Sequence, residues 1–242
     1  LLAGLLITSG ALLATPGTGL AAPRFTDLRE LKPIHGDAAA GATKATVCLS
    51  CHGADGVSAA PTFPRLAGQR IDYLYHRLYS FRHADPNDPY YAASPMTAMV
   101  ATLSDPDLRD LAAYFASQVP KLPDPPAPGA AVAPSSTAPG VSDAGETLYR
   151  AGDPVRGIPP CQGCHGVDAE GAPVASPQYR AYPALRGQYA PYVTARLTNY
   201  RAGHPADTSN TMIMQAVAHT LDDAAIEAVA AWLSSLDPAK SL

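Results

Sequence analysis

Cysteine, methionine and tryptophan are scarce in this chain of 242 residues, which holds four, four and one of them. All four cysteines fall in two short motifs, so none is left over for a separate disulfide framework. Charge is sparse too: 16% of residues are charged, 17 Lys and Arg stand against 21 Asp and Glu, and the formal net charge is −4. Neither half has a basic excess, which excludes a nucleic-acid partner held by the field of the protein. No segment alternates apolar and polar residues with a period of two, so β-strands are not expected. The one long uncharged apolar stretch is residues 1–22, opening Leu1-Leu2-Ala3-Gly4-Leu5-Leu6-Ile7. It reads as a signal peptide, with Leu20-Ala21-Ala22 ahead of Pro23 offering small residues to a signal peptidase. The rival reading is a retained N-terminal membrane anchor, since about 20 uncharged residues suffice to span a bilayer.

Proline, by contrast, is plentiful, at 25 residues. It concentrates in residues 119–142 among Ala, Ser and Gly, a composition that favours extended, semi-rigid polyproline II and marks a linker. On either side the chain repeats itself. Cys48-Leu49-Ser50-Cys51-His52-Gly53 returns as Cys161-Gln162-Gly163-Cys164-His165-Gly166, and Pro64-Arg65-Leu66-Ala67-Gly68-Gln69 returns as Pro183-Ala184-Leu185-Arg186-Gly187-Gln188. Tyr73, Arg77, Leu78, Arg82, Met96 and Leu103 then match Tyr192, Arg196, Leu197, Arg201, Met214 and Leu221. Such self-similarity is the mark of a tandem duplication. The expected organisation is a leader or anchor over 1–22, a first domain over 23–118, the linker over 119–142 and a second domain over 143–242.

Each copy reads as all-α. Ser104, with Asp107 three residues on, opens a helix whose Leu108, Leu111, Ala112 and Phe115 share one face. Asp222 opens its counterpart, with Ile226, Val229, Ala230 and Leu233 as the stripe and Trp232 in the place of Tyr114. The pattern predicts an alanine-rich helix over 37–47, a shorter counterpart over 144–150, and middle helices over 70–82 and 189–201.

C-x-x-C-H is the pattern of covalent haem attachment. Two thiols three positions apart can each form a thioether to one vinyl group, and the adjacent histidine then ligates the iron. The candidate cofactor-binding residues are therefore Cys48, Cys51 and His52 in one copy and Cys161, Cys164 and His165 in the other. A four-cysteine zinc site would leave both histidines without a role, and a redox disulfide would not call for histidine after the second cysteine. Of the methionines, only Met96 and Met214 occupy equivalent places, seven residues before Leu103 and Leu221, which makes them the candidate sixth ligands. Met99 and Met212 align with Val217 and Ser94. The carbonyls of Pro64 and Pro183 are placed to accept a hydrogen bond from the ligating imidazoles. Arg82, Arg201, Gln69, Gln188, Tyr73 and Tyr192 are candidates for the haem propionates, or are solvated helix faces. His35, His76, His83, His204 and His219 have no partner in the repeat and read as surface histidines.

The two C-x-x-C-H-G motifs, the P-x-L-x-G-Q segments, Thr211-Met212-Ile213-Met214, and Leu103-Ser104-Asp105 leading to Ala112-Ala113-Tyr114-Phe115 together resemble the dihaem cytochrome c4 family over about residues 36–236. The resemblance implies two class I cytochrome c domains related by an approximate two-fold axis, each holding one haem c with His/Met ligation. It also implies single-electron transfer in a periplasmic respiratory chain, from a cytochrome bc complex toward a haem-copper oxidase, by a protein that is soluble or tethered to the inner membrane. The linker is longer than usual for that family, and the second copy has an insert near 175–181, so the domains are expected to meet only where their own surfaces make them meet. Two other functions fit the residues. One is a cytochrome subunit bound to a dehydrogenase or oxidase; the other is a dihaem peroxidase, which the matched methionines disfavour. Denatured in alkaline pyridine, the protein is expected to give two haems per chain with the spectrum of thioether-linked side groups; one haem per chain would refute the duplicated site.

Overall fold

The structure is a computed structural model that describes residues 26–29, 32–121, 141–172 and 177–239. The leader or anchor reading of 1–22 and most of the linker lie outside these residues. Among the described residues there are eleven α-helices, one 3-10 turn and no strand. None of those helices is long and apolar enough to cross a membrane.

The first copy runs α1 (Ala38–Lys44), α2 (Thr46–His52), α3 (Ile71–Arg82), α4 (Pro89–Ala92), α5 (Pro95–Val100) and α6 (Asp105–Ser117). The second runs α7 (Val141–Ala151), α8 (Gln162–His165), a 3-10 turn (Pro177–Tyr179), α9 (Ala190–Arg201), α10 (Ser209–Ala218) and α11 (Asp223–Ser235). Polar caps set the starts. The Asp37 carboxylate accepts the N–H groups of Ala39 and Ala40, Ser104 and Asp107 form a capping box, and the Asp222 carboxylate accepts the Ala225 N–H at 2.8 Å. These bonds satisfy amide groups that have no partner within the helix.

Four expected helices shift their boundaries. The helix expected over 37–47 breaks at Ala45, where the wholly buried alanine enters the core and the hydroxyl of Thr43 takes up the Ala40 carbonyl at 2.7 Å. Such back-bonding competes with the helical ladder, and the break re-aims the chain for the cysteine motif. The counterpart expected over 144–150 is longer and starts at Val141. Arg70 and Tyr189 stand just ahead of the middle helices as N-caps without a side-chain cap bond, because both side chains reach toward the opposite domain.

In the first domain α6 packs against α1 and α3; in the second α11 packs against α7 and α9. Leu108, Leu111, Ala112 and Phe115 meet Ile34, Leu74 and Tyr75, while Ile226, Val229, Trp232 and Leu233 meet Leu148, Tyr149, Val193 and Leu197. The terminal helices cross at a glycine in each copy. A Cβ on Gly41 would lie 2.1 Å from the Asp110 carbonyl oxygen, and one on Gly145 would lie 2.1 Å from that of Ala228.

The domains meet closely despite the long linker, through their own surfaces. The side chain of Gln69 donates to the Ala184 carbonyl at 2.9 Å and accepts the Ala184 N–H at 2.8 Å. The side chain of Gln188 does the same for Arg65, at 3.1 and 2.9 Å. Further ties run from Tyr189 to the Ser58 carbonyl and from Tyr91 to the Asp207 carboxylate, both at 2.5 Å. Thr26 joins the second domain by exchanging backbone bonds with Asp207 and Ser209. Surface complementarity, not the connector, therefore sets the arrangement.

In an isolated helix, Gly145→Ala would be favourable by about 1 kcal/mol. Here the methyl must enter the α7–α11 crossing, and overpacking of this kind costs about 1–3 kcal/mol. The expected outcome is a lower thermal midpoint of the haem-loaded protein; an unchanged or raised midpoint would show that the two helices separate freely.

Candidate functional site

The cysteine motifs lie on the short helices α2 and α8, where residues three apart share a face. Each motif ends in a glycine that turns the chain out of the helix: Gly53 has φ 82° and Gly166 has φ 81°, a region that side-chain-bearing residues avoid. Between them the histidines are buried, at 5% exposure for His52 and 6% for His165. His52 Nδ1 lies 3.0 Å from the Pro64 carbonyl oxygen, and His165 Nδ1 lies 3.0 Å from that of Pro183. A carbonyl only accepts, so each Nδ1 carries the hydrogen and each Nε2 keeps its lone pair. Burial lowers the pKa of both imidazoles, against the opposing effect of the proline bond, which keeps them neutral.

One apolar cavity extends through both domains. It is lined by Cys48, Cys51, His52 and Met96 in the first domain and by Cys161, His165 and Met214 in the second. Cys164 sits half-buried on α8 just before His165. Met96 packs beside Phe81, Tyr91 and Val100, and Met214 against the second core. Met99 also lines the cavity but is 41% exposed, and Met212 is 52% exposed.

The donor set fits a porphyrin iron. Burial pushes the Cys161 thiol up to about 11 and raises those of Cys48 and Cys164. Sulfur kept neutral suits an uncharged thioether and disfavours a thiolate metal ligand. All four cysteines are free thiols, and among the described residues no three His, Cys, Asp or Glu side chains converge as a metal site. The zinc and disulfide alternatives thus find no geometry here.

The outer residues divide. Arg82 and Arg201 do not reach into the cavity as propionate partners; they donate to the Leu103 and Leu221 carbonyls at 2.8 and 3.0 Å, tying the middle helices to the segments after the methionines. Gln69 and Gln188 are likewise committed across the interface, although both border the cavity, as do Tyr73 and Tyr192. Arg77 and Arg196 are the cationic pair that the sequence reading passed over. Both line the cavity and each has a buried Nη1 without a hydrogen-bond partner. Arg77 lies 3.7 Å from the Asp207 carboxylate of the other domain, while Arg196 donates to the Tyr200 hydroxyl at 2.6 Å and stacks over Tyr90. Their match within the repeat was the available signal, but helical spacing alone could not tell a buried arginine from a surface one.

Among the unmatched histidines, His35, His83 and His219 are exposed as expected. His76 is not: it is 8% exposed, lines the cavity and stands edge-on to Tyr75, because its position on α3 faces inward. His204 is half-buried, 3.4 Å from the Asp88 carboxylate across the interface.

The sequence was compared with known proteins. A family model described as "Cytochrome c" matches twice, over residues 38–118 and 142–237. The chain is similar to cytochrome c4 of Azotobacter vinelandii, 42% identical over 205 residues, covering 83% of this chain and 90% of that one. It is also similar to the thiosulfate dehydrogenase electron acceptor of Thiomonas intermedia (strain K12), 34% identical over 84% of this chain and 85% of that one. Among solved structures, reduced recombinant cytochrome c4 from Pseudomonas stutzeri superposes with a TM-score of 0.66 at 37% identity, covering 83% of this chain and 99% of that one.

Burial, with Arg109 adding repulsion, lowers the pKa of His76 to about 4. A histidine depressed in the native state is protonated first in the unfolded chain, so its contribution is complete above about pH 6.5 and is lost as the pH falls toward 4. At 1.36 kcal/mol per unit the loss is on the order of 3 kcal/mol. Urea midpoints at pH 7.5 and 4.5 should converge in His76→Leu relative to the parent; an equal acid loss in both proteins would assign the effect to other groups.

Proposed function

The chain belongs to the cytochrome c family, as a two-domain member of the cytochrome c4 kind with one covalently bound haem c per domain, and from that premise we propose how its residues serve single-electron transfer. When bound, the haem iron supplies a one-electron couple whose potential follows its axial ligands and surroundings. Cys48 and Cys51 hold one haem by thioether bonds, and Cys161 and Cys164 hold the other. His52 and His165 donate through Nε2 and are kept in orientation by the Pro64 and Pro183 carbonyls. Met96 and Met214 would hold the iron through a soft sulfur donor, which would favour its reduced state and close it to peroxide or oxygen. Arg77 and Arg196, helped by the phenols of Tyr73 and Tyr192, hold the propionate carboxylates, because each has a buried Nη1 that makes no hydrogen bond, that of Arg77 lying 3.7 Å from the Asp207 carboxylate.

The observation that carries this reading is the common cavity: matched Cys, His and Met residues of both domains border one apolar space. Two centres that share an unbroken low-dielectric space suit a carrier that passes electrons internally. The protein works in the periplasm, soluble or tethered at the inner membrane, taking electrons from a cytochrome bc complex and delivering them to a haem-copper oxidase. The second reading is an electron-transfer subunit or acceptor docked to a dehydrogenase; the similarity to a thiosulfate dehydrogenase electron acceptor favours it. Stopped-flow reduction by a purified bc complex and by a thiosulfate dehydrogenase separates the two, since only the physiological donor reduces the chain faster than the donor turns over.

Ligation has its own test. Met96→Ala and Met214→Ala should each halve the weak far-red band of thioether-bound ferric iron, lower one of the two potentials, and let ferrous protein bind one carbon monoxide per chain. Carbon monoxide binding by the unaltered protein at both centres would sink the proposed ligand set.

A further inference from the structure

The proximal segments of the two copies meet the opposite domain through equivalent bonds at some positions and through different chemistry at others: Arg65, where the repeat has Ala184, donates to the Gly187 carbonyl at 3.2 Å and lies over the Tyr189 ring. Gln69 and Gln188 make the same pair of bonds to the opposite domain. The next residue in each copy, at the N-cap of the middle helix, also reaches across, but there the chemistry differs. In the second domain it is Tyr189, whose neutral hydroxyl donates to the Ser58 carbonyl at 2.5 Å. In the first domain it is Arg70, whose Nη2 donates to the Ala172 carbonyl at 2.5 Å and to the Glu170 carbonyl at 3.3 Å. Those carbonyls flank Gly171, whose N–H donates to the His165 carbonyl at 2.8 Å. Arg70 thus enters the backbone turn that follows the second domain's iron-ligating histidine.

Nε and Nη1 of Arg70 are buried without a hydrogen-bond partner, and no ion pair joins it to a carboxylate among the described residues. Asp72 and Asp168 act on it only from a distance. Arg70 does not line the cavity, so it is no substitute for Arg77 or Arg196 as a propionate partner. A buried cation behind the histidine disfavours any added positive charge on the far side of the ring. Iron carries one positive charge fewer when reduced than when oxidised.

We propose that Arg70, a residue of the first domain, raises the reduction potential of the second-domain haem from across the interface, a charge that Tyr189 in the equivalent place does not supply to the first-domain haem. The inference rests on the haem ligation proposed above and makes the potential of one centre depend on docking to the other domain. For scale, a unit charge at about 12 Å in a medium of effective dielectric about 20 shifts a one-electron equilibrium roughly tenfold, which is about 59 mV.

The test is a redox titration of the full-length haem-loaded protein, with each iron followed by the NMR signal of its ligated methionine methyl, assigned with the Met96→Ala and Met214→Ala variants. Arg70→Gln should lower the second-domain potential roughly tenfold in equilibrium constant while the first stays in place. Arg70→Lys, which keeps the charge but not the forked hydrogen bonds, should retain the parent value. Tyr189→Arg should raise the first-domain potential. If Arg70→Gln loosens the interface, Arg70→Lys and Tyr189→Arg still decide the matter through opposite demands on charge. Unchanged potentials in Arg70→Gln and Tyr189→Arg, or equal movement of both centres, would overturn the proposal. The pyridine assay on the same samples separates that failure from failure of the haem reading, because two haems per chain with unmoved potentials refutes only the role of Arg70.

Discussion

The hydrogen bond between an imidazole Nδ1 and a proline carbonyl is the constraint on which the rest of this structure depends. It fixes the tautomer, leaves Nε2 as the ligand atom and sets the plane of each ring. The bond holds only if the proline carbonyl is itself held, and proline, lacking an N–H, cannot secure its own segment through a backbone bond. Its neighbour does so instead. Ala184 follows Pro183 and is bonded at both N–H and carbonyl by Gln69 of the first domain; Arg65 follows Pro64 and is bonded in the same way by Gln188 of the second. Each domain thereby braces the histidine of the other, and the interface is part of both sites.

That reciprocity explains how a proline-rich connector can be long without loosening the pair. The contacts are side chain to backbone, short and buried, so their geometry survives any path taken by the linker. They also exact a desolvation cost, since Arg65, Arg70, Arg77 and Arg196 are all at the interface and poor in carboxylate partners. Only Asp207 comes close to Arg77, and Tyr91 supports it by donating to the same carboxylate. Burial would raise the pKa of Asp207, but the Arg77 charge and the surrounding hydroxyl donors bring it below its ordinary value, so the carboxylate stays ionised. A buried guanidinium left short of acceptors is expensive.

The asymmetric elements are few and cluster at the same boundary. Arg70 faces Tyr189 in the repeat, Arg65 faces Ala184, and Thr26 at the start of the described chain is tied to the second domain. Duplication supplies two equal centres; substitutions at the shared face, where each side chain acts on the neighbour's site, are the economical way to make them unequal without disturbing either core.

The amino-acid sequence by itself determined the duplicated all-α plan, because apolar periodicity, N-cap residues and the recurrence of C-x-x-C-H-G are local patterns that report local structure. The pairing of Met96 with Met214 and of Pro64 with Pro183 was legible for the same reason, through position in the repeat. It could not show that helix α1 ends at Ala45, that His76 turns inward, or that Arg82 and Arg201 spend their donors on nearby carbonyls. Nor could it show that Gln69, Arg70, Arg77 and Asp207 act on the other domain. Those outcomes depend on which faces meet between segments more than a hundred residues apart, and only the tertiary structure decided them, since hydrogen bonding and charge compensation are properties of neighbours in space.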